Sequence, residues 1–95
     1  MKLEKGAEYK IVGYRYRWDI VDTQTFDGKT YHLMESSIGD ECEYAVVKAD
    51  AAIEMRSWKR EGTTLMLPTI VDPDNDIICF TYDDIQTALE DEGII

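Results

Sequence analysis

The 95-residue sequence predicts an α+β domain: an antiparallel β-meander of four to six strands with a C-terminal α-helix packed on it. Three observations carry that prediction. Asp27-Gly28 stands between two runs rich in Thr, Val, Tyr and Leu, the pattern of a tight β-hairpin. Residues alternate in character from Tyr9 to Trp18, the period of a strand with two unlike faces, and Glu43–Lys48 is a further short run of strand formers. Near the end, Ile85, Ala88 and Leu89 fall at helical spacing before Gly93.

In chain order, residues 1–8 form a polar lead-in, and Tyr9–Trp18 reads as a strand. Its aromatic face is Val12, Tyr14, Tyr16 and Trp18, and its other face carries Ile11, Arg15 and Arg17. The hairpin over residues 21–36 has two possible registers. A two-residue turn at Asp27-Gly28 pairs Phe26 with Lys29 and Asp22 with Leu33. A three-residue loop, with Gly28 in a bulge, pairs Thr25 with Lys29, Val21 with Leu33 and Thr23 with Tyr31. The bulged register gathers Val21, Thr23, Tyr31, Leu33, Tyr44 and Val46 on one face and is preferred for that reason. Ser37–Glu41 is a second turn, after which Ser36 faces Glu43 and Leu33 faces Val46. Met34, Ala45 and Val47 stay on the opposite face, so both faces of the sheet are partly covered.

Asp50 can cap a short central helix ending at Gly62, with a strand through Ile53 and Met55 as the competing assignment. Residues 63–71 are extended, and Pro68 points to an edge or a bend. Asp72-Pro73-Asp74-Asn75 matches a type I turn. Ile77–Phe80 is a short strand. Thr81 is the expected cap of the last helix, with Asp84 three residues on.

Composition limits function more than any motif does. Twenty acidic residues against ten basic ones give a net charge of -10. Residues 1–60 are nearly balanced, with eleven acids and ten bases. Residues 61–95 hold nine acids and no Lys or Arg. Such a surface repels nucleic acid and anionic membranes and attracts basic protein surfaces; solubility is the plain alternative. The expected partner is therefore a protein with a basic surface, met without direct nucleic-acid or membrane contact. The partner-binding candidates are Asp72, Asp74, Asp76, Asp83, Asp84, Glu90, Asp91 and Glu92. No apolar run reaches the roughly 20 residues of a membrane span, and no signal peptide is evident. Cys42 and Cys79 read as reduced core thiols of a cytoplasmic protein.

No catalytic residue and no cofactor are expected, and the chain does not read as an enzyme. The single histidine, His32, sits mid-strand and away from Cys42; an Asp22–His32 bond across the hairpin is the one pairing available to it. A small ligand-binding domain or enzyme centred on His32 and Asp22 is the alternative reading. Asp72, Asp74 and Asp76 have the spacing that opens a calcium loop. Ile77 then replaces the required Gly and Asp83 the bidentate Glu, so no metal is expected. Tyr14-Arg15-Tyr16-Arg17-Trp18 combines rings and guanidiniums as nucleic-acid binders do, but in a strand the two would project from opposite faces.

FDGKTYHLMES, the GDE turn and TYDDIQTALEDEGII together resemble small acidic proteins encoded on mobile elements of gut bacteria. The resemblance spans about a third of the chain and leaves residues 50–71 uncovered. It implies a context rather than a site. Small proteins of phages and conjugative elements often inhibit host defence nucleases, some with carboxylates that imitate DNA phosphates.

Overall fold

A computed structural model describes residues 2–38 and 41–95. Its strands are β1 (Glu8–Ile11), β2 (Trp18–Phe26), β3 (Lys29–Ile38), β4 (Glu41–Lys48), β5 (Ile53–Arg60), β6 (Thr63–Ile70) and β7 (Ile77–Cys79). Two short helices, α1 (Pro73–Asp76) and α2 (Ile85–Asp91), flank β7. The strands form one sheet in the order β5-β6-β1-β2-β3-β4-β7. Every pairing is antiparallel except β1 with β6. The α+β reading therefore holds, with seven strands rather than four to six. The tip of the turn expected between β3 and β4, Gly39-Asp40, lies outside the described residues.

The hairpin between β2 and β3 takes the two-residue turn, correcting the preferred bulged loop. Asp27 (φ 52°) and Gly28 (φ 77°) are both left-handed, the requirement of a type I′ turn whose twist matches that of the strands. Phe26 pairs Lys29, Thr23 pairs His32 and Asp22 pairs Leu33. The irregularity lies further down β2, between Ile20 and Asp22, where Val21 is left outside the pairing and exposed. That bulge keeps Trp18 and Ile20 in the core after the turn has set the register. The next pairing is as expected, with Ser36 opposite Glu43 and Leu33 opposite Val46.

Alternation along β3 and β4 sends side chains to two apolar clusters. On one face Met34, Ala45 and Val47 join Tyr9, Ile11, Trp18, Ile20 and Ile70 in the main core. On the other, Tyr31, Leu33 and Val46 pack under Ile85, Ala88 and Leu89 of α2. At seven residues α2 is too short to persist alone. Burying Ile85 and Leu89 fully, at about 1.5–3 kcal/mol each, is what holds it. Its cap is Asp84 rather than Thr81: the Asp84 carboxylate accepts from the Thr87 amide at 2.9 Å and its hydroxyl at 2.7 Å. Gly93 (φ 73°) ends α2, and the Ile94 amide donates back to the Leu89 carbonyl at 2.9 Å. The side chains of Ile94 and Ile95 nevertheless stay exposed.

Two segments depart further from expectation. The strand predicted over Tyr9–Trp18 breaks at Ile11. Gly13 adopts φ 90°, and residues 12–17 leave the sheet before β2 begins. Tyr14 and Tyr16 are exposed while Trp18 is buried, although the Tyr14 ring still meets Trp18 edge-on at 6.3 Å and stacks on Phe80 at 4.8 Å. The central segment is strand β5, not a helix. It joins β6 through Glu61-Gly62, at φ 51° and 80°, a second turn with the backbone signs of Asp27-Gly28. Most of β5 is exposed, so this ribbon has no helical stripe to bury.

Pro68 has a backbone reason. The Val12 amide donates to the Ile70 carbonyl at 3.1 Å, so the peptide groups of Ile70 face β1. Alternation turns those of Pro68, Met66 and Thr64 the same way. β1 reaches β6 only at Thr69 and Ile70. The missing N–H of Pro68 therefore ends the β1 pairing, and Lys10–Thr69 is its first rung.

Candidate functional site

The eight carboxylates expected to form one surface separate into three groups. Asp83, Asp84, Glu90, Asp91 and Glu92 are exposed around α2. Asp72, just before α1, and Asp74 on it are exposed, across the three residues of β7, which span roughly 10 Å. Asp76, correcting its place among the contacts, is buried: its carboxylate accepts from the Ala52 amide and from Asn75 Nδ2, both at 3.0 Å. It ties the entry of β5 to α1 and is unavailable to a partner.

Around α2 the carboxylates act on common neighbours. Glu35 above all, then burial, Cys42 and Asp83, push the Tyr44 phenol above its usual pKa. Hydrogen bonding to Asp91 and the charge of that carboxylate push up Tyr82, with a smaller contribution from Glu92. Hydrogen bonds from Thr87 instead hold the Asp84 carboxyl low. Cys42 is exposed and donates to Glu35 at 3.4 Å, whereas Cys79 packs beside the α2 cluster. The expectation of two core thiols thus holds only for Cys79. Among the described residues no group of three or more His, Cys, Asp or Glu side chains is arranged to hold a metal. Nor is any helix long and apolar enough to cross a membrane.

His32 is buried, and its Nδ1 lies 2.7 Å from Thr23 Oγ1. Asp22 projects from the opposite face beside Leu33, so the expected Asp22–His32 bond does not form. Burial lowers the His32 pKa, which favours the neutral ring. An open basin of about 750 Å³ lies beside it, bordered by Lys2, Lys29 and Lys48.

A larger concavity, about 940 Å³, lies elsewhere. It lies over β6, β1 and β2, with Glu8, Lys10 and Asp19 in its lining, on the part of the α2-bearing face that α2 leaves uncovered. Trp58, Leu65 and Leu67 form one wall; the loop of residues 13–17 forms the other. Lys10 organises both. Its Nζ donates to the carbonyls of Tyr14 at 2.8 Å and Arg15 at 2.5 Å, with Tyr16 at 3.4 Å, and stands 4.5 Å from the centre of the Trp58 ring. Trp58 Nε1 donates to Thr69 Oγ1 at 3.0 Å, which fixes the indole. Burial, then the charge of Arg17, lowers the Lys10 pKa. Arg17 pairs with Glu8 at 2.6 Å. Arg15, Lys59 and Arg60 also line the groove, and no carboxylate of the described residues pairs with them.

Sequence reasoning found the Tyr14–Trp18 run and missed its partners. The objection that rings and guanidiniums diverge on a strand does not apply to a loop, although Arg17 is paired and Trp18 belongs to the core. The available signal for the rest was Lys59-Arg60-Glu61-Gly62-Thr63-Thr64, an X-Gly turn flanked by strand formers that would have made a ribbon of residues 53–70. No protein-family model, curated protein or solved structure matches the chain.

Proposed function

We propose that this protein is a non-enzymatic interaction module whose acidic surface around α2 binds a basic surface of a partner protein. The observation that supports the reading best is the gathering of five exposed carboxylates around α2 in a segment without Lys or Arg. Among them, Asp91 raises the Tyr82 phenol through a hydrogen bond and then through its charge. The field of such a surface steers association with a positive cleft and weakens with salt. In its sharper form the module is a mobile-element inhibitor of host defence: Asp83, Asp84, Glu90, Asp91 and Glu92 occupy a nucleic-acid groove in place of phosphates, with Asp72 and Asp74 as outlying contacts. That form rests on the resemblance to mobile-element proteins as well as on charge.

The test compares two triple variants of equal net charge. Glu90→Lys, Asp91→Lys and Glu92→Lys reverse the α2 surface; Glu4→Lys, Glu54→Lys and Glu61→Lys reverse exposed acids elsewhere. Capture of a partner from host lysate at low salt should fall at least tenfold for the first and little for the second. Duplex DNA should displace the captured partner if the groove reading is right. Equal capture by the wild type and the α2 variant would refute the proposal.

A further inference from the structure

We infer that the outer edge of β5 pairs with β5 of a second copy of this chain. The two strands run antiparallel about a two-fold axis at Ser57, and seven strands from each copy join in one continuous sheet. This inference does not rest on the α2 reading. Helix α2 packs on β3 and β4, towards the opposite edge, so the pairing leaves both acidic surfaces open.

The backbone supplies the template. β5 and β7 are the outermost strands of the sheet. β7 has only three residues, whereas β5 has eight and is mostly exposed. The Val71 amide donates to the Ala52 carbonyl at 3.3 Å, so the peptide groups of Ala52 face β6. The β5–β6 register is unbroken as far as Arg60, and alternation turns those of Glu54, Arg56, Trp58 and Arg60 the same way. The bond from Val12 to Ile70 agrees, because Ile70 lies opposite Ile53 and turns its groups to β1 instead. The peptide groups of Met55, Ser57 and Lys59 therefore point away from β6, where no other strand of the described residues runs. A long edge with unpaired donors and acceptors at every second residue is competent for strand addition.

Charge complementarity selects the occupant and the register. Ser57 opposite the partner's Ser57 sets Met55 against the partner's Lys59, both turning their peptide groups to the seam. Between these rungs Glu54 meets the partner's Arg60, and Arg56 meets the partner's Trp58. Arg60 has no carboxylate partner within its own chain among the described residues, and the Trp58 indole is already held by Thr69. Opposite charges and a guanidinium beside an aromatic ring both favour a cross-strand pair. Met55, exposed in the single chain, gains the Lys59 stem as cover. Moving the axis one residue, to Arg56 or Trp58, sets Arg56 against the partner's Arg56 or Arg60, like charge against like. Moving it two residues, to Met55 or Lys59, carries one end of β5 past the end of its partner strand. The strand is thus complementary to itself in one full-length register, which an unrelated strand has no reason to match.

The experiment follows sedimentation equilibrium of the full chain from about 10 µM to about 1 mM, the range suited to a small interface. The wild type should pass from monomer to dimer and no further. Over the same range, hydrogen exchange of the Met55, Ser57 and Lys59 amides should slow severalfold. The Trp58 amide, already bonded to β6, should change little. Glu54→Arg and Arg60→Glu each set like charges opposite one another and should each weaken dimerisation roughly tenfold. Combined in one chain they restore the opposite pairing, and dimerisation should return to within about threefold of wild type. Circular dichroism checks that each variant keeps the fold. A monomer throughout the range would overturn the inference, and so would growth beyond a dimer, the mark of head-to-tail contact between β5 and an acidic surface. Unchanged exchange at the three outward amides, or a combined variant as weak as the single ones, would also overturn it.

Discussion

Replacing Lys10 by Met should cost about 2 kcal/mol and loosen the groove without unfolding the sheet. Met keeps most of the buried stem of Lys10 and removes only the ammonium, so packing in β1 is little changed. Two well-formed charged hydrogen bonds, to the Tyr14 and Arg15 carbonyls, are lost; the Tyr16 contact at 3.4 Å is weak. At about 1.5–3 kcal/mol each, the two bonds and the ring contact to Trp58 amount to roughly 4–6 kcal/mol. Against this, the variant no longer buries an ammonium, and the released carbonyls of an exposed loop can meet water. These gains should return more than half of the loss. A net 2 kcal/mol corresponds to a fall in Tm of roughly 10 °C for a chain of this size. Urea unfolding followed by circular dichroism gives the free energy, and the Trp58 indole resonance reports the loop locally. A change below about 0.5 kcal/mol, with the indole resonance unmoved, would refute the view that Lys10 organises this end of the molecule.

Two further outcomes follow from buried polar groups. Asp76→Ala should destabilise by about 2–3 kcal/mol, because the Ala52 amide loses its acceptor, whereas Asp74→Ala should stay within about 0.5 kcal/mol; paired urea titrations would distinguish them. His32 has a lowered pKa in the fold, so protons bind the unfolded chain more readily. Its favourable contribution is present above about pH 6.5 and is lost as pH falls below the unfolded value. The drop in stability between pH 7.5 and 5.5 should therefore be smaller in His32→Gln than in the wild type; identical drops would argue against the burial of a neutral ring.

The parts of the fold legible in the sequence are those where one residue type has one environment. Leu33, Val46, Met34 and Val47 alternate cleanly because β3 and β4 are covered on both faces, and the α2 stripe of Ile85, Ala88 and Leu89 is apolar at every buried position. The hairpin register was misjudged because Val21 looks like a core residue. Its exclusion at a bulge depends on the twist imposed by Asp27-Gly28, which residue type alone does not reveal. Lys10 and Asp76 were illegible for a different reason. A charged residue reads as solvent-facing, and only tertiary partners far from sequence patterning, the loop carbonyls and the Ala52 amide, make its burial favourable. For the same reason, Asp76 could not be told from Asp72 and Asp74. The groove joins residues 8–35 to 58–67 through a pairing that no local pattern encodes.

That pairing also bears on how the chain reaches this state. β2, β3 and β4 meet through neighbouring turns, and β5 and β6 do so independently, so each set closes only short loops. The seam between Lys10 and Thr69 closes fifty-nine residues of chain through two residue pairs. Its entropic cost must be met before its two pairs reward it, which makes this closure intrinsically slow. Two locally formed pieces would thus exist briefly as separate bodies, joined at the end by the strand whose lysine then closes over the junction.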